Sequence, residues 1–267
     1  MTDKIKLLIL DIDGTLITYD SQEIPESTIK AVKQAQDKGY KIAIATGRTF
    51  FFIPKDVKEL INPDYFVTIN GACLTDNSGN ILENYQIEQE SCHKLLDYCR
   101  KHEINFAFKY KEFMRVHGNF KEYADAYLGR YKDNIHFLSL NDDEPYHFET
   151  EQPMGAFMFA DHSHFEPLRE MFSDYGLSYG NGNTLEIFPK GINKTKTIEN
   201  IINAYGLTWD NVLTVGDGGN DIEMLEKAAI GIAMGNASDY VKGYADYVTT
   251  SVEDDGIYNA FKEFKII

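Results

Sequence analysis

Apolar residues follow two rhythms along this chain. Near both ends they form short runs such as Leu7-Leu8-Ile9-Leu10, Ile42-Ala43-Ile44-Ala45 and, with a single Thr, Val212-Leu213-Thr214-Val215. Runs apolar on every side read as strands buried on both faces, as in a parallel sheet. A further strand is expected at 65–69. Helical stretches separate the runs. One covers Pro25 to Lys38, with Pro in the first turn and Gly39 as the stop. Another is expected over Phe52 to Leu60. Later ones carry Ile198, Ile201 and Ile202, then Ile222, Met224, Leu225, Ala228 and Ala229. This alternation predicts an α/β fold: a doubly wound, mostly parallel, Rossmann-like core sheet.

The middle of the chain, about Leu82 to Phe188, differs. It is richer in Tyr, Phe and His. Helices are expected at 90–101, 121–128 and 165–175, and strands at 106–110, 113–116, 156–160 and 184–188. Phe106, Phe108, Phe157 and Phe159 alternate along two of those strands and so should fill a core. Strand pairs with separate helices predict an inserted α+β domain. The expected organisation is a discontinuous core domain, 1–81 and 189–267, with an insert at 82–188. No internal repeat or low-complexity segment interrupts it.

The ends of the buried runs carry the chemistry. The first runs straight into Asp11-Ile12-Asp13-Gly14-Thr15. Ligands of open α/β sheets bind beyond the carboxyl ends of the strands. A carboxylate there can hold a hard cation or attack an electrophile, and its neighbour two along can handle a proton. The run at Val212 repeats the arrangement in Gly216-Asp217-Gly218-Gly219-Asn220-Asp221. Clustered carboxylates repel one another unless a cation or proton intervenes, and Mg²⁺ is the natural cation for oxygen ligands beside a phosphate. Thr46-Gly47-Arg48 ends a third strand with a hydroxyl, a close backbone and a cation. Lys194 opens a helix, where a cation disfavours the dipole, so an anionic partner is expected. Either segment alone would read as a solvent-exposed Thr or Lys; together with the acids they outline a phosphate site.

Composition narrows the partners. The 267 residues can bury a substantial core. A net charge of −16 argues against nucleic acid, which needs clustered Lys and Arg. An anionic substrate must then be captured by a local positive site. No apolar run is long enough for a membrane span. Met1 to Lys6 is too short and polar for a signal peptide, so a cytoplasmic location is expected. Cys73, Cys92 and Cys99 lack metal or redox spacing and read as reduced thiols. The seven histidines lack metal-ligand spacing and read as surface or core residues.

Asp11-Ile12-Asp13-Gly14-Thr15, Ala45-Thr46-Gly47-Arg48, Lys194 and Gly216-Asp217-Gly218-Gly219-Asn220-Asp221, in that order, resemble the four motifs of the haloacid dehalogenase superfamily. Asn70-Gly71-Ala72, Gly191-Ile192-Asn193-Lys194, Asp221-Ile222-Glu223-Met224-Leu225 and Gly231-Ile232-Ala233-Met234-Gly235-Asn236-Ala237 are similar to its Cof-type, sugar-phosphatase-like branch. One departure is Thr195, where that branch often has Gly; the Lys before it is kept, so little consequence is expected.

The resemblance implies a cap inserted after the third core strand, controlling substrate access and specificity. It also implies a phosphoric monoester hydrolase acting on a small phosphorylated metabolite, with hexose phosphates the default and flavin mononucleotide or pyridoxal phosphate further options. Asp11 would be the nucleophile and Asp13 the acid and base. Mg²⁺ would be bound by Asp11, the Asp13 carbonyl and Asp217, with Asp221 holding a metal-bound water or orienting Asp217. Thr46, Gly47, Lys194 and Asn220 would bind phosphate. Two rivals share parts of the pattern. A phosphosugar mutase uses the same core. A phospho-receiver domain uses clustered Asp, Thr and Lys, but the Asp11-x-Asp13 spacing and the large insert speak against it. An aspartyl-phosphate ion pump needs membrane spans.

Overall fold

The computed structural model describes residues 2–18, 23–129, 132–180 and 182–267. Its contacts divide the chain into two compact units: Met1–Gly47, Ile53–Glu83 and Lys194–Ile267 form one, and Arg48–Phe52 with Asn84–Asn193 the other. The chain begins with strand β1 (Leu7–Leu10), helix α1 (Glu26–Asp37), β2 (Lys41–Ala45), β3 (Tyr65–Thr68), β4 (Cys73–Asp76) and β5 (Ile81–Asn84). It continues with α2 (Gln89–Lys101), β6 (Phe106–Lys109), β7 (Met114–His117), α3 (Phe120–Leu128), β8 (Leu138–Leu140), β9 (Gly155–Phe159), α4 (Phe165–Met171), β10 (Tyr175–Tyr179) and β11 (Thr184–Lys190). The last stretch holds α5 (Lys194–Ala204), β12 (Val212–Gly216), α6 (Ile222–Lys227), β13 (Ile230–Ala233), α7 (Asp239–Lys242), β14 (Tyr247–Val248) and α8 (Gly256–Glu263).

In the first unit the strand order is β14-β13-β12-β1-β2-β3-β4-β5. Neighbours from β14 to β3 run parallel, and β4 is antiparallel to β3. Continuous apolar runs suit this sheet because both faces are covered. On one face Leu7, Ile9, Ala43, Val67 and Val212 meet Ile198, Ile201 and Ile202 of α5. Elsewhere α1 packs against α8, burying Ala31, Val32, Ile257, Ala260 and Phe261. The doubly wound α/β core expected from the sequence is present. Register sets up the site: Leu10 pairs with both Val215 and Ile44. Asp11, Ala45 and Gly216 therefore end three adjacent strands at one level.

Phe52 to Leu60 is not the expected α-helix. Phe50–Phe52 is a 3₁₀ turn and Val57–Ile61 a single π-type turn. Pro54, without an N–H, separates them, and its carbonyl accepts from Val57 and Lys58. The third strand stops at Thr68 because Ile69 and Asn70 take φ of 51° and 52°. Strands β4 and β5 were not anticipated. They flank a turn in which the Asp76 carboxylate accepts from the backbone N–H groups of Ser78 and Asn80.

The second unit has strand order β10-β11-β9-β6-β7-β8. Its pairs are antiparallel except β7 with β8. Phe106 and Phe108 lie in a core with Cys92, Leu95 and Leu96 of α2 and Leu168 of α4. Phe157 and Phe159 pack instead with a second cluster containing Tyr123, Ala124 and Leu128 of α3. Ala107 pairs with Phe157 and Phe106 with Met158 across β6 and β9, so the two Phe pairs serve opposite faces. The expected helix at 165–175 ends at Met171, and Tyr175 opens β10. Gly176 permits this: a Cβ there would come within 1.8 Å of the Phe188 ring. The short β8 was also not anticipated. No helix among the described residues is long and apolar enough to cross a membrane.

Candidate active site

The site lies within the first unit, beyond the ends of β1, β2 and β12. The Asp11 N–H donates to Val215 and so continues the ladder for one residue. The chain then turns tightly: Leu16 and Ile17 both donate to the Ile12 carbonyl, and Gly14 takes a φ of 77° that favours glycine. The turn leaves Asp11 buried and Asp13 half-exposed, the latter bridged to Ile17. The Thr15 hydroxyl donates to Asp217 Oδ1 at 3.1 Å across the strand gap.

Lys194 is the first residue of α5 and is buried. Its Nζ lies 2.7 Å from Asp11 Oδ1 and 2.7 Å from Asp221 Oδ1. The cation that was misplaced for the helix dipole is thus held by two carboxylates. Asp221 is fully buried, and its Oδ2 accepts the N–H groups of Asp217 and Gly218 at 3.0 and 2.9 Å. Gly216 makes room, since a Cβ there would lie 2.6 Å from the Asp221 carboxylate. One carboxylate therefore fixes both the β12 turn and the lysine.

Electrostatics leave this cluster short of positive charge. Burial raises the Asp11 carboxyl well above the usual range; Lys194 opposes this, while Asp221, Asp217 and Asp13 push the same way. Burial alone would lower the Lys194 ammonium, but Asp11 and Asp221 outweigh it, so the lysine stays charged. Carboxylate oxygens of Asp11, Asp217 and Asp221 all lie within 4.8 Å of one another. An all-oxygen donor set with an unbalanced negative charge fits a hard divalent cation and does not fit thiol- or imidazole-seeking metals.

The remaining residues read from the sequence surround this centre. Thr46 is buried and its N–H donates to Val67. Gly47 follows it at the end of β2. Asn220 Nδ2 donates to Asn70 Oδ1 at 2.8 Å, and the Asn70 N–H donates to the Thr46 carbonyl. Arg48 turns to the Phe52 carbonyl and groups with the second unit. Three contributors had no role in the sequence reading. Thr15 and Asn70 are two. The third is Asn236, whose Nδ2 donates to the Gly14 carbonyl at 2.8 Å and to Asp217 Oδ2 at 3.4 Å. Each lies inside a motif segment, but its partner is remote in sequence, so composition and spacing carry no trace of its function.

The haloacid dehalogenase-like hydrolase family matches residues 8–261, nearly the whole chain. The chain belongs to this family. It is similar to the 5-amino-6-(5-phospho-D-ribitylamino)uracil phosphatase YcsE of Bacillus subtilis, with 31% identity over 97% of this chain and 96% of that one. The solved structure of the haloacid dehalogenase subclass IIB sugar phosphatase BT4131 is also similar, at 31% identity and a TM-score of 0.86, covering 98% of this chain and all of the other. Another relative is BT1666 of Bacteroides thetaiotaomicron, a phosphatase of the same superfamily, at 28% identity and 0.86 over 98% and 96% of the two chains. The Cof-type resemblance is thereby borne out, and this haloacid dehalogenase-like hydrolase is a phosphatase. Phosphatases of the family typically work with a divalent metal, for which the buried acidic triad is chemically suited.

Proposed function

We propose that the protein is a Mg²⁺-dependent phosphatase of sugar phosphates or closely related polyol phosphates, working through an aspartyl-phosphate on Asp11. The observation that carries this is the buried Asp11 carboxylate held 2.7 Å from Lys194 Nζ, with Asp217 beside it. An Asp11 oxygen attacks phosphorus while the bond to the leaving alcohol breaks. Asp13 gives that alcohol its proton. Half-exposed, Asp13 then takes a proton from water, which attacks phosphorus and breaks the bond to Asp11. One group serves as acid and then base because the two half-reactions run in opposite directions.

Lys194 lowers the repulsion between an anionic nucleophile and an anionic phosphoryl group. Thr46, the N–H of Gly47 and Asn220 position the phosphoryl oxygens, acting by fixed dipoles. Asp11, Asp217 and the Asp13 carbonyl would hold Mg²⁺, which supplies further charge neutralisation. Asp221 is assigned an outer place: both of its oxygens already accept N–H groups, and it orients Lys194 and the Asp217 backbone.

The substrate class rests on relatives. One is named a sugar phosphatase and the other acts on a phosphorylated ribityl chain. Both substrates are phosphate monoesters of polyhydroxylated carbon chains. Selectivity among such esters is assigned to the inserted region at 82–188, because the residues named above serve phosphate and metal. The test is inorganic phosphate release from a panel of hexose, pentitol and nucleotide monophosphates, with EDTA and with Mg²⁺ restored. Release that EDTA abolishes and Mg²⁺ recovers is expected. Isomerised sugar phosphate without release would point to a mutase. Stable phosphoprotein without turnover would point to a receiver.

A further inference from the structure

The second unit contains a cleft of about 580 Å³ between the carboxyl end of α2 and the start of α3. His117, the last residue of β7, lines it. The side chain is 1% exposed, yet neither ring nitrogen has a hydrogen-bond partner. Buried polar groups are nearly always satisfied, so such a residue needs an explanation. Packing does not require an imidazole. The ring stacks on Phe106 at 4.9 Å and 15°, and meets Phe108 edge-on, as a phenyl ring would.

The lining indicates what would satisfy it. Burial, aided by the positive charge of Arg100, lowers the His117 pKa to about 4, so the ring is neutral at ordinary pH. A neutral imidazole offers one acceptor and one donor. The cleft is lined as well by the acidic residues Glu103, Glu122 and Asp142 and by one cation, Arg100. Arg100 is already engaged by the Tyr146 hydroxyl and the Asp142 carbonyl. Asp142 Oδ1 lies 3.7 Å from His117 Nδ1, too far for a hydrogen bond. A simple anion would meet net repulsion here. An ammonium group can donate to the imidazole and to a carboxylate, and an oxygen on the same molecule can accept the imidazole N–H.

We propose that this cleft binds a small primary amine with a nearby oxygen acceptor, of the amino-alcohol, amino-sugar or amino-acid class. All lining residues belong to the second unit, so the site is separate from the phosphatase centre and stands whatever substrate that centre takes.

The test is NMR titration of the full-length protein with ethanolamine, glucosamine and a set of α-amino acids, following the imidazole C–H resonances. Acetate and inorganic phosphate serve as anionic comparisons. The His117 resonance is assigned by its absence from H117F, which keeps the ring stack and removes both nitrogens. At least one amine should shift that resonance with submillimolar affinity, and H117F should weaken binding tenfold or more. E103Q/E122Q, on exposed side chains, should weaken it about threefold or more with the fold intact. The proposal is overturned if no amine moves the His117 signal, if H117F binds as well as the parent, if the double variant is unaffected, or if the anions bind equally well.

Discussion

Each unit buries a lysine beside acid, and the two arrangements differ in their charge balance. Lys109 in the second unit meets Glu186 at 2.9 Å and lies over the Phe157 ring at 5.5 Å. That contact holds one cation against one carboxylate. Lys194 in the first unit meets two carboxylates, with Asp217 in the same cluster. Burying a balanced pair roughly breaks even in folding energy and needs no ligand. Crowding three acids around one ammonium does not break even: the Asp11 carboxyl, raised first by burial, is pushed further the same way by Asp221, Asp217 and Asp13 against the opposing Lys194. Perturbed groups of this kind gather at functional sites. Excess charge, more than buried charge, distinguishes the proposed catalytic centre from the Lys109–Glu186 contact of the second unit.

Asp11→Asn tests this contrast hardest. It removes the proposed nucleophile and should abolish detectable phosphate release. It also removes one of the repelling charges at nearly constant shape, so the melting temperature should hold or rise. A variant that lost both activity and several degrees of stability would make Asp11 a structural partner of Lys194, as Glu186 is of Lys109. Asp13→Asn comes next. The fold and metal binding should survive, because the assigned ligand there is a backbone carbonyl. Turnover of an alkyl phosphate should fall by about 10²–10⁴, the usual share of acid–base catalysis. A substrate with a very good leaving group should suffer less in the first step. Near-normal turnover of the alkyl ester would remove Asp13 from the mechanism.

The acids of the β12 turn separate by their partners. Asp221→Ala strips Lys194 of one carboxylate and two backbone N–H groups of their acceptor. It should cost about 3–5 kcal/mol in denaturant unfolding, as breaking a buried pair does. Asp217→Ala should cost less stability and raise the Mg²⁺ concentration needed for activity more steeply. If the two variants exchanged these effects, Asp221 would be the direct ligand. In the second unit Lys109→Met should cost somewhat less than Asp221→Ala, about 2–3 kcal/mol, because Glu186 is partly exposed and can be hydrated. Adding Glu186→Leu should recover most of that loss. No such recovery is expected from pairing Lys194→Met with one acid variant, since further carboxylates remain.

The first unit was largely legible because its signals are local. Four apolar residues before Asp11, and three apolar residues with one Thr before Gly216, specify buried strands, and the acids follow at once. Lys194 was visible as a cation at the wrong end of a helix. The second unit was less legible. Strand β8 is only three residues long, and the start of β10 was hidden because the expected helix ran on to Tyr175, with no glycine or proline between its true end at Met171 and that residue. Phe157 and Phe159 resembled the other core phenylalanines, but facing direction is set by the pairing of β9 with β6. The Thr15–Asp217 and Asn220–Asn70 contacts join residues 202 and 150 positions apart, beyond any local pattern. His117 fell among histidines read as surface or core, since being buried without a partner is a property of the folded neighbourhood.

His117 also supplies the smallest effect and a second form of the contrast between units: a missing partner in place of excess charge. Its folded pKa is about 4, because burial and then Arg100 disfavour the imidazolium. In the unfolded chain it returns to about 6.5. Between those values the unfolded state binds the proton more readily, so stability falls as pH drops from about 6.5 toward about 4, and the full contribution is present above that window. A tenfold change in proton affinity corresponds to about 1.4 kcal/mol, which makes the loss about 2 kcal/mol by about pH 5. H117F cannot titrate. Denaturant unfolding at pH 7 and pH 5 should therefore show the variant losing about 2 kcal/mol less than the parent on acidification, because the carboxylates titrate alike in both proteins. Parallel losses would mean that His117 accepts its proton within the fold, with Asp142 as the nearest carboxylate to receive it. The imidazole would then be a partnered cation like Lys109, and the contrast between the two units would rest on the lysines alone.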